Sequence, residues 1–201
     1  MKTTRKKPSL DRRAVVAELL KWRKGALVVA GLGAPCWDTA AAGDDALNFY
    51  AWGGMGGAAM VGLGLAIAQP KRRVLIITGD GEILMGLGAL ATIGVQQPDN
   101  LAVIVLDNEH YGETGMQATH TGLGVDLAGI ATAAGFRAAA TLYENAEVQT
   151  WAPRLISEPG PLFAAIKVTT AHAPLVLPRR DGTALKHRFR EALLGAAEAY
   201  K

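Results

Sequence analysis

A parallel α/β sheet of about six strands, covered by helices on both faces, is the fold class that the sequence predicts. Three observations carry it. The runs ALVVAG (26–31), RVLIITGDG (73–81) and LAVIVLDN (101–108) are apolar and rich in β-branched residues, as strands buried on both faces are. Segments of helical length lie between such runs, the alternation that builds a parallel sheet. Half of the residues are hydrophobic and 19% are charged, a composition that buries a core.

The elements follow in order. Ser9 or Asp11 caps a first helix reaching about Trp22, with Val15, Leu19 and Leu20 as its apolar stripe. After the strand at 26–31 come a short helix over 35–42 and a strand, NFYAW (48–52). Residues 56–69 read as a buried helix rich in glycine and alanine, ended by Pro70. The strand at 73–81 leads into one helix through about Gln97, stopped by Pro98. The strand at 101–108 is followed by a polar, glycine-containing loop over 109–124. A helix at 126–134, a strand at 137–141, a helix around 146–157 and a strand at 162–169 continue the alternation. Asp181 or Thr183 caps a last helix over about 183–200. No repeat or low-complexity linker divides the chain, so residues 1–201 are expected to form a single domain with a basic arm at 1–8.

Composition excludes several function classes. The formal net charge is +3, and no Lys/Arg block is interleaved with aromatics, so nucleic acid is not the expected partner. Residues 46–70 carry no charge and are long enough to span a bilayer. Their many glycines, with Asn48 and Gln69, instead indicate a turn followed by a buried helix, and no membrane contact is expected. No apolar run directly follows the basic start, so no signal peptide is expected. The single cysteine, Cys36, rules out an intrachain disulfide or a multi-cysteine cluster and suits a reducing cytoplasm. His172 and His187 have no neighbouring metal-type partners and read as structural or exposed.

The chemistry lies in Asp80 and Asn108. Each follows an unbroken apolar strand, and the two strands are joined by a helical segment, so both side chains sit just past neighbouring carboxyl ends, outside the core. Ligands bind there in open α/β sheets. A carboxylate and an amide carbonyl are hard oxygen ligands suited to Mg²⁺. Gly79 and Gly81 permit close backbone approach to a phosphate, and the following helix aims its N-terminus at the same place. Together they make a site for Mg²⁺ and a diphosphate.

Gly79-Asp80-Gly81 followed after 26 residues by Asn108 resembles the signature of thiamine-diphosphate-dependent enzymes. The resemblance is to their diphosphate-binding (PP) domain and thiamine-diphosphate-binding fold, and it extends over nearly the whole chain. GGMGGAAMVGLGLA (53–66) resembles the glycine–methionine turn and helix that precede that signature. DNEHYGETGMQATHTG (107–122) resembles the loop of sulfopyruvate decarboxylase β subunits and phosphonopyruvate decarboxylases, through Gly115, Gln117 and Thr119.

The resemblance implies roles. Asp80, the Asn108 side-chain oxygen and the backbone carbonyl of His110 would hold Mg²⁺. The amides of Gly81 and Glu82 would meet the diphosphate. Met55 would bend thiamine diphosphate, and the Gly53 carbonyl would accept from its 4′-amino group. His110, Tyr111, Glu113, Gln117 and His120 are candidates for the substrate side. Glu109, His110 and Glu113 depart from the sequence expected in sulfopyruvate decarboxylases, and the Glu113 carboxylate would repel an anionic tail. The implied reaction is loss of CO₂ from a small anionic 2-oxo acid, such as sulfopyruvate or phosphonopyruvate, with release of an aldehyde. In the family a glutamate on a pyrimidine-binding (PYR) domain activates the cofactor, and the eighteen acidic residues here include no candidate in that context. A separate PYR (α) subunit is therefore expected, in a hetero-oligomer with at least two copies of each chain. Two readings stay open: a carboligating synthase subunit, and a non-catalytic nucleotide-binding module suggested by Gly31 and Gly33 in GLGAPC (31–36).

Overall fold

The computed structural model describes residues 6–201; residues 1–5 of the expected basic arm at 1–8 lie outside the described residues. Asp11 caps α1 (Arg12–Lys21), its carboxylate accepting from the Ala14 amide at 2.7 Å. Strand β1 (Leu27–Ala30) is wholly buried. Helix α2 (Ala34–Ala41), strand β2 (Asn48–Tyr50) and helix α3 (Ala58–Ala68) follow. Strand β3 (Val74–Gly79) runs directly into α4 (Asp80–Met85). The single helix expected through Gln97 is broken, with α5 (Gly88–Gln96) as its second part. The break is steric: Gly86 lies against the backbone of Gly56, where a side chain would overlap the Gly56 carbonyl.

Strand β4 (Leu101–Asp107) is buried throughout. The segment expected as a plain loop contains a small antiparallel hairpin, β5 (His110–Tyr111) with β6 (Gln117–Ala118), and a 3-10 turn at Thr121–Leu123. Helix α6 (Leu127–Ala133), strand β7 (Ala138–Leu142), helix α7 (Asn145–Ser157) and strand β8 (Leu162–Lys167) complete the alternation. The last helix is also divided, into α8 (Gly182–Leu194) and α9 (Ala196–Ala199), because Gly195 adopts a φ of +81° that a right-handed helix cannot contain.

The main sheet has six strands in the order β2-β1-β3-β4-β8-β7, all parallel. Apolar clusters pack on both of its faces, which is why the strands read as unbroken apolar runs. The chain steps from β1 outward to β2 and then back across to β3. The crevice between β1 and β3 is thus a topological switch point, with β4 next to it.

Helix α3 is not the fully buried helix expected. Gly62 presses its inner face on Ile76, but Met60, Val61 and Ile67 are 44, 45 and 56% exposed. Met85 and Val95, on the neighbouring α4 and α5, are 68 and 81% exposed. Among the described residues, no helix is long and apolar enough to cross a membrane.

Gly94 and Gly88 give a paired test of the packing. A Cβ at Gly94 would overlap the Ala134 carbonyl at the end of α6, whereas one at Gly88 meets open space. Gly94→Ala is expected to destabilise the chain by about 1–3 kcal/mol through overpacking, and Gly88→Ala to be neutral or stabilising by up to about 1 kcal/mol. Urea unfolding of the two variants checks both signs.

Candidate functional site

Strand register brings the two acidic corners together. Gly79 pairs with Leu106 across β3 and β4, and Asp107 pairs with Lys167 across β4 and β8. Asp80 and Asp107 are therefore neighbours at the carboxyl edge, 2 and 1% exposed. Asp80 lies past the strand end, as expected, but inside the packed interior.

Two threonines and a lysine satisfy this pair. Thr119 Oγ1 donates to Asp80 Oδ2 at 2.5 Å, and Thr121 Oγ1 donates to Asp107 Oδ1 at 2.7 Å. The two hydroxyls are 2.9 Å apart. Lys167, itself 5% exposed, places Nζ 2.7 Å from Asp107 Oδ2 and 2.8 Å from Glu109 Oε1. Burial first, and then the Asp107 charge, pushes the Asp80 carboxyl up to about 6. Burial by itself lowers the Lys167 ammonium, but its hydrogen bonds and charge interactions with Asp107 and Glu109 together outweigh that and leave it raised.

Beyond β4 the chain turns on its own side chains. Asp107 Oδ1 accepts from the Glu109 amide at 3.1 Å, and Asn108 Oδ1 accepts from the His110 amide at 3.0 Å. Glu109 adopts a φ of +63° to make the corner, and its carbonyl accepts from Thr119 N at 2.9 Å. An amide oxygen has two lone pairs, so Asn108 Oδ1 keeps an acceptor position beyond this turn.

Glu82 ties three segments together. Its Oε2 accepts from Leu32 N at 3.1 Å and Thr78 Oγ1 at 2.7 Å, and its Oε1 accepts from Ala58 N at 3.3 Å. The carboxylate thus fixes the corner after β1 and the start of α3 to the Gly-Asp-Gly turn. Gly31 must be glycine because a Cβ there would overlap Glu82 Oε2. The glycines of GLGAPC face two carboxylates, Glu82 at Gly31 and Glu113 at Gly33. Burial also pushes the nearby Cys36 thiol up to about 12, so it stays protonated and unreactive at ordinary pH.

One cavity of about 520 Å³ opens over these corners. Met55, Gly79, Asp80, Gly81 and Glu82 line one part of it, and Asn108, His110, Tyr111 and Glu113 another. The Tyr111 ring covers Gly81, with Cε1 2.6 Å from where a Cβ would be. Gly53, Gln117 and His120 are not in the cavity wall. Gln117 closes its own hairpin, its Nε2 donating to the Thr114 carbonyl at 2.8 Å. Sequence reasoning did not select Arg12, Trp37 or Thr170, and it took His172 for a structural or exposed residue; all four line the cavity. Nor did it assign functions to Thr121 and Lys167. A lysine ending an otherwise apolar strand was the available signal for Lys167. Among the described residues, no three His, Cys, Asp or Glu side chains are grouped to hold a metal; Asp80 and Asn108 bring a carboxylate and an amide to the cavity wall.

Comparison with known proteins gives a consistent picture. Residues 37–166 match the family described as thiamine pyrophosphate enzyme, C-terminal TPP binding domain. Sulfopyruvate decarboxylase subunit beta of Methanothermobacter thermautotrophicus is 36% identical over 172 residues, 86% of this chain and 89% of that one. Phosphonopyruvate decarboxylase of Streptomyces viridochromogenes is 50% identical over 91 residues, 45% of this chain and 22% of that one. The crystal structure of benzoylformate decarboxylase from Polynucleobacter necessarius superposes with a TM-score of 0.65 at 21% identity, covering 87% of this chain and 36% of that one. At that identity it speaks for the fold alone.

Lys167 is the part of the site most open to a stability test. Lys167→Met leaves Asp107 without its ammonium partner in the interior, and such a loss costs about 3–5 kcal/mol. Chemical denaturation is expected to show it, with part of the loss recovered when Asp107→Leu is added.

Proposed function

The chain belongs to the thiamine pyrophosphate enzymes, and from that premise we propose that it is the diphosphate-binding β subunit of a two-chain decarboxylase for small anionic 2-oxo acids. Sulfopyruvate is the favoured substrate and phosphonopyruvate the alternative. The observation that carries the reading is the convergence of Asp80 and Asn108 on one cavity at the switch point of a parallel sheet.

The residues present fit the implied groups. Asp80, Asn108 Oδ1 and the His110 carbonyl would supply hard oxygens of the kind Mg²⁺ takes, with a diphosphate and water completing the set. Gly81 is held side-chain-free by the Tyr111 ring, so the backbone of the turn stays approachable. When bound, thiamine diphosphate supplies the nucleophile for the 2-oxo carbon and the electron sink for loss of CO₂.

This chain's own work is positioning. Thr119 holds Oδ2 of Asp80, which would leave Oδ1 for a metal. The Glu82 carboxylate anchors Ala58 and with it the turn carrying Met55, the residue assigned to bending the cofactor. Gly53, assigned through its carbonyl, sits in the same turn. Glu82 is also assigned through its amide, and the side-chain bonds keep that amide in register. His110 and Tyr111 wall the substrate side, and apolar neighbours such as Leu106 and Met116 exclude water.

No activating glutamate is assigned in this chain, so a PYR subunit supplies it. The subunit name of the Methanothermobacter relative supports that reading. So do the exposed apolar side chains of α3, α4 and α5, among them Met60, Ile67, Met85 and Val95, since much exposed apolar surface marks an interaction site. We read residues 1–201 as one PP domain working in the cytoplasm, in a hetero-oligomer with at least two copies of each chain.

The test uses the two chains together. CO₂ release from sulfopyruvate is expected from the mixture with Mg²⁺ and thiamine diphosphate, and none from this chain alone. Robust turnover by the isolated chain contradicts the two-subunit reading. The metal assignment is read by thermal shift: a ligand at about a hundred times its Kd stabilises by roughly 2.7 kcal/mol. Asp80→Asn and Asn108→Ala are expected to lose that shift. The asparagine retains an oxygen to accept from Thr119, so this variant folds where alanine would leave buried hydroxyls unmatched.

A further inference from the structure

Arg12 and Arg13 occupy the first turn of α1, which contains no acidic residue. Cations there oppose the helix dipole, so the position is locally unfavourable. Such a breach of local preference concentrates at functional positions. The fold maintains it with Asp38, a fully buried carboxylate on α2 that takes Nε of Arg12 on Oδ2 and Nε of Arg13 on Oδ1. Two guanidiniums share one carboxylate, so the cluster keeps a net positive charge.

The cluster's place in the fold is fixed. Leu10 forms a parallel bridge to Val168, and Thr169 N donates to the Leu10 carbonyl at 2.9 Å. The start of α1 is thereby pinned to the exit of β8, on the carboxyl edge of the sheet. Arg13 turns outward and donates through Nη2 to the Pro174 carbonyl at 2.8 Å. Arg12 instead lines the cavity that holds Asp80 and Asn108, with Thr170 and His172 beside it in the wall. Among the described residues, Asp38 is the only hydrogen-bonding partner of the Arg12 guanidinium, and only Nε is engaged. Its terminal fork of N–H donors remains, in the planar arrangement that matches two oxygens of a carboxylate, sulfonate or phosphonate. Glu113, on the same cavity, repels an anion, and among the described residues Arg12 is the one arginine or lysine in the cavity wall to offset it.

We propose that Arg12, held by Asp38, is the specificity residue for the anionic tail of the substrate, with a sulfonate or phosphonate seated on its guanidinium fork. This rests on the decarboxylase reading above and adds to it the group that selects a charged tail over the methyl of pyruvate. Asp38 is a positioning residue: it holds Arg12 at the wall and does not touch the substrate. Arg13 neutralises Asp38 without reaching the cavity.

The test measures kcat/KM for sulfopyruvate and for pyruvate on the complete complex with its PYR subunit, Mg²⁺ and thiamine diphosphate. Arg12→Gln is expected to lower the sulfopyruvate-to-pyruvate ratio by about ten- to hundredfold, the loss typical of a charge-assisted pair. Arg13→Gln, which removes the other partner of Asp38, is expected to leave the ratio in place. Arg12→Lys retains the charge without the fork, and is expected to fall between wild type and Arg12→Gln. It also carries the test if Arg12→Gln fails to fold. Ethanesulfonate, a tail analogue without the reacting carbonyl, is expected to inhibit wild type competitively, and the inhibition constant should rise in Arg12→Gln by a similar factor. A wild-type complex that turns over neither acid contradicts the functional reading itself. A complex that turns over both, with a ratio unmoved in the Arg12 variants, contradicts the Arg12 assignment alone.

Discussion

Two carboxylates, Asp80 and Asp107, lie buried side by side at the ends of adjacent strands, and the surrounding structure answers that constraint. Like charges in a low-dielectric interior repel strongly, and each group needs hydrogen-bond partners once water is gone. Lys167 reaches Asp107 because the two are register partners across β4 and β8. Thr119 and Thr121 reach the carboxylates because the hairpin after β4 folds back, with its corner built on Asp107 and Asn108. Satisfying the carboxylates therefore also shapes the loop that walls the cavity. Burial first, and then the Asp107 charge, keeps the Asp80 carboxyl raised, against the hydrogen bonds from Thr119 and Thr121.

Glu82 performs the corresponding task on the other side of the cavity. One carboxylate gathers donors from β3, from the corner after β1 and from the start of α3. The β1–β3 switch point is held open as a crevice because three elements are tied to a single group at its base. Burial raises this carboxyl as well, and its hydrogen bonds to Thr78 and to backbone amides oppose that rise.

Much of this was legible in the sequence, for physical reasons specific to each part. Strands buried on both faces must be apolar throughout, so LVVA, VLIITG and LAVIVLD could be placed within a residue or two. Asp80 and Asn108 were legible because a strand end at a parallel edge faces a crevice. The break at Gly86 was not, since it depends on the distant backbone of Gly56. Two-residue strands such as β5 and β6 are too short to show an alternation. Arg12 belongs to the basic start MKTTRKKPSLDRR, which reads as a solvated arm and not a binding patch, because its approach to the cavity depends on the Leu10–Val168 bridge, a contact between residues far apart in the chain. Pairing of Lys167 with Asp107 likewise depends on strand order, which sequence spacing does not contain.

Asp80 and Asn108, as proposed, hold a divalent cation together with a diphosphate. Mn²⁺ in place of Mg²⁺ makes the site visible to electron paramagnetic resonance on the two-subunit complex. Tightly bound Mn²⁺ is expected only when thiamine diphosphate is present, with hyperfine coupling to phosphorus, and that bound signal is expected to be lost in Asn108→Ala. Phosphorus-coupled Mn²⁺ that persists unchanged in both Asn108→Ala and Asp80→Asn would place the metal elsewhere and contradict it.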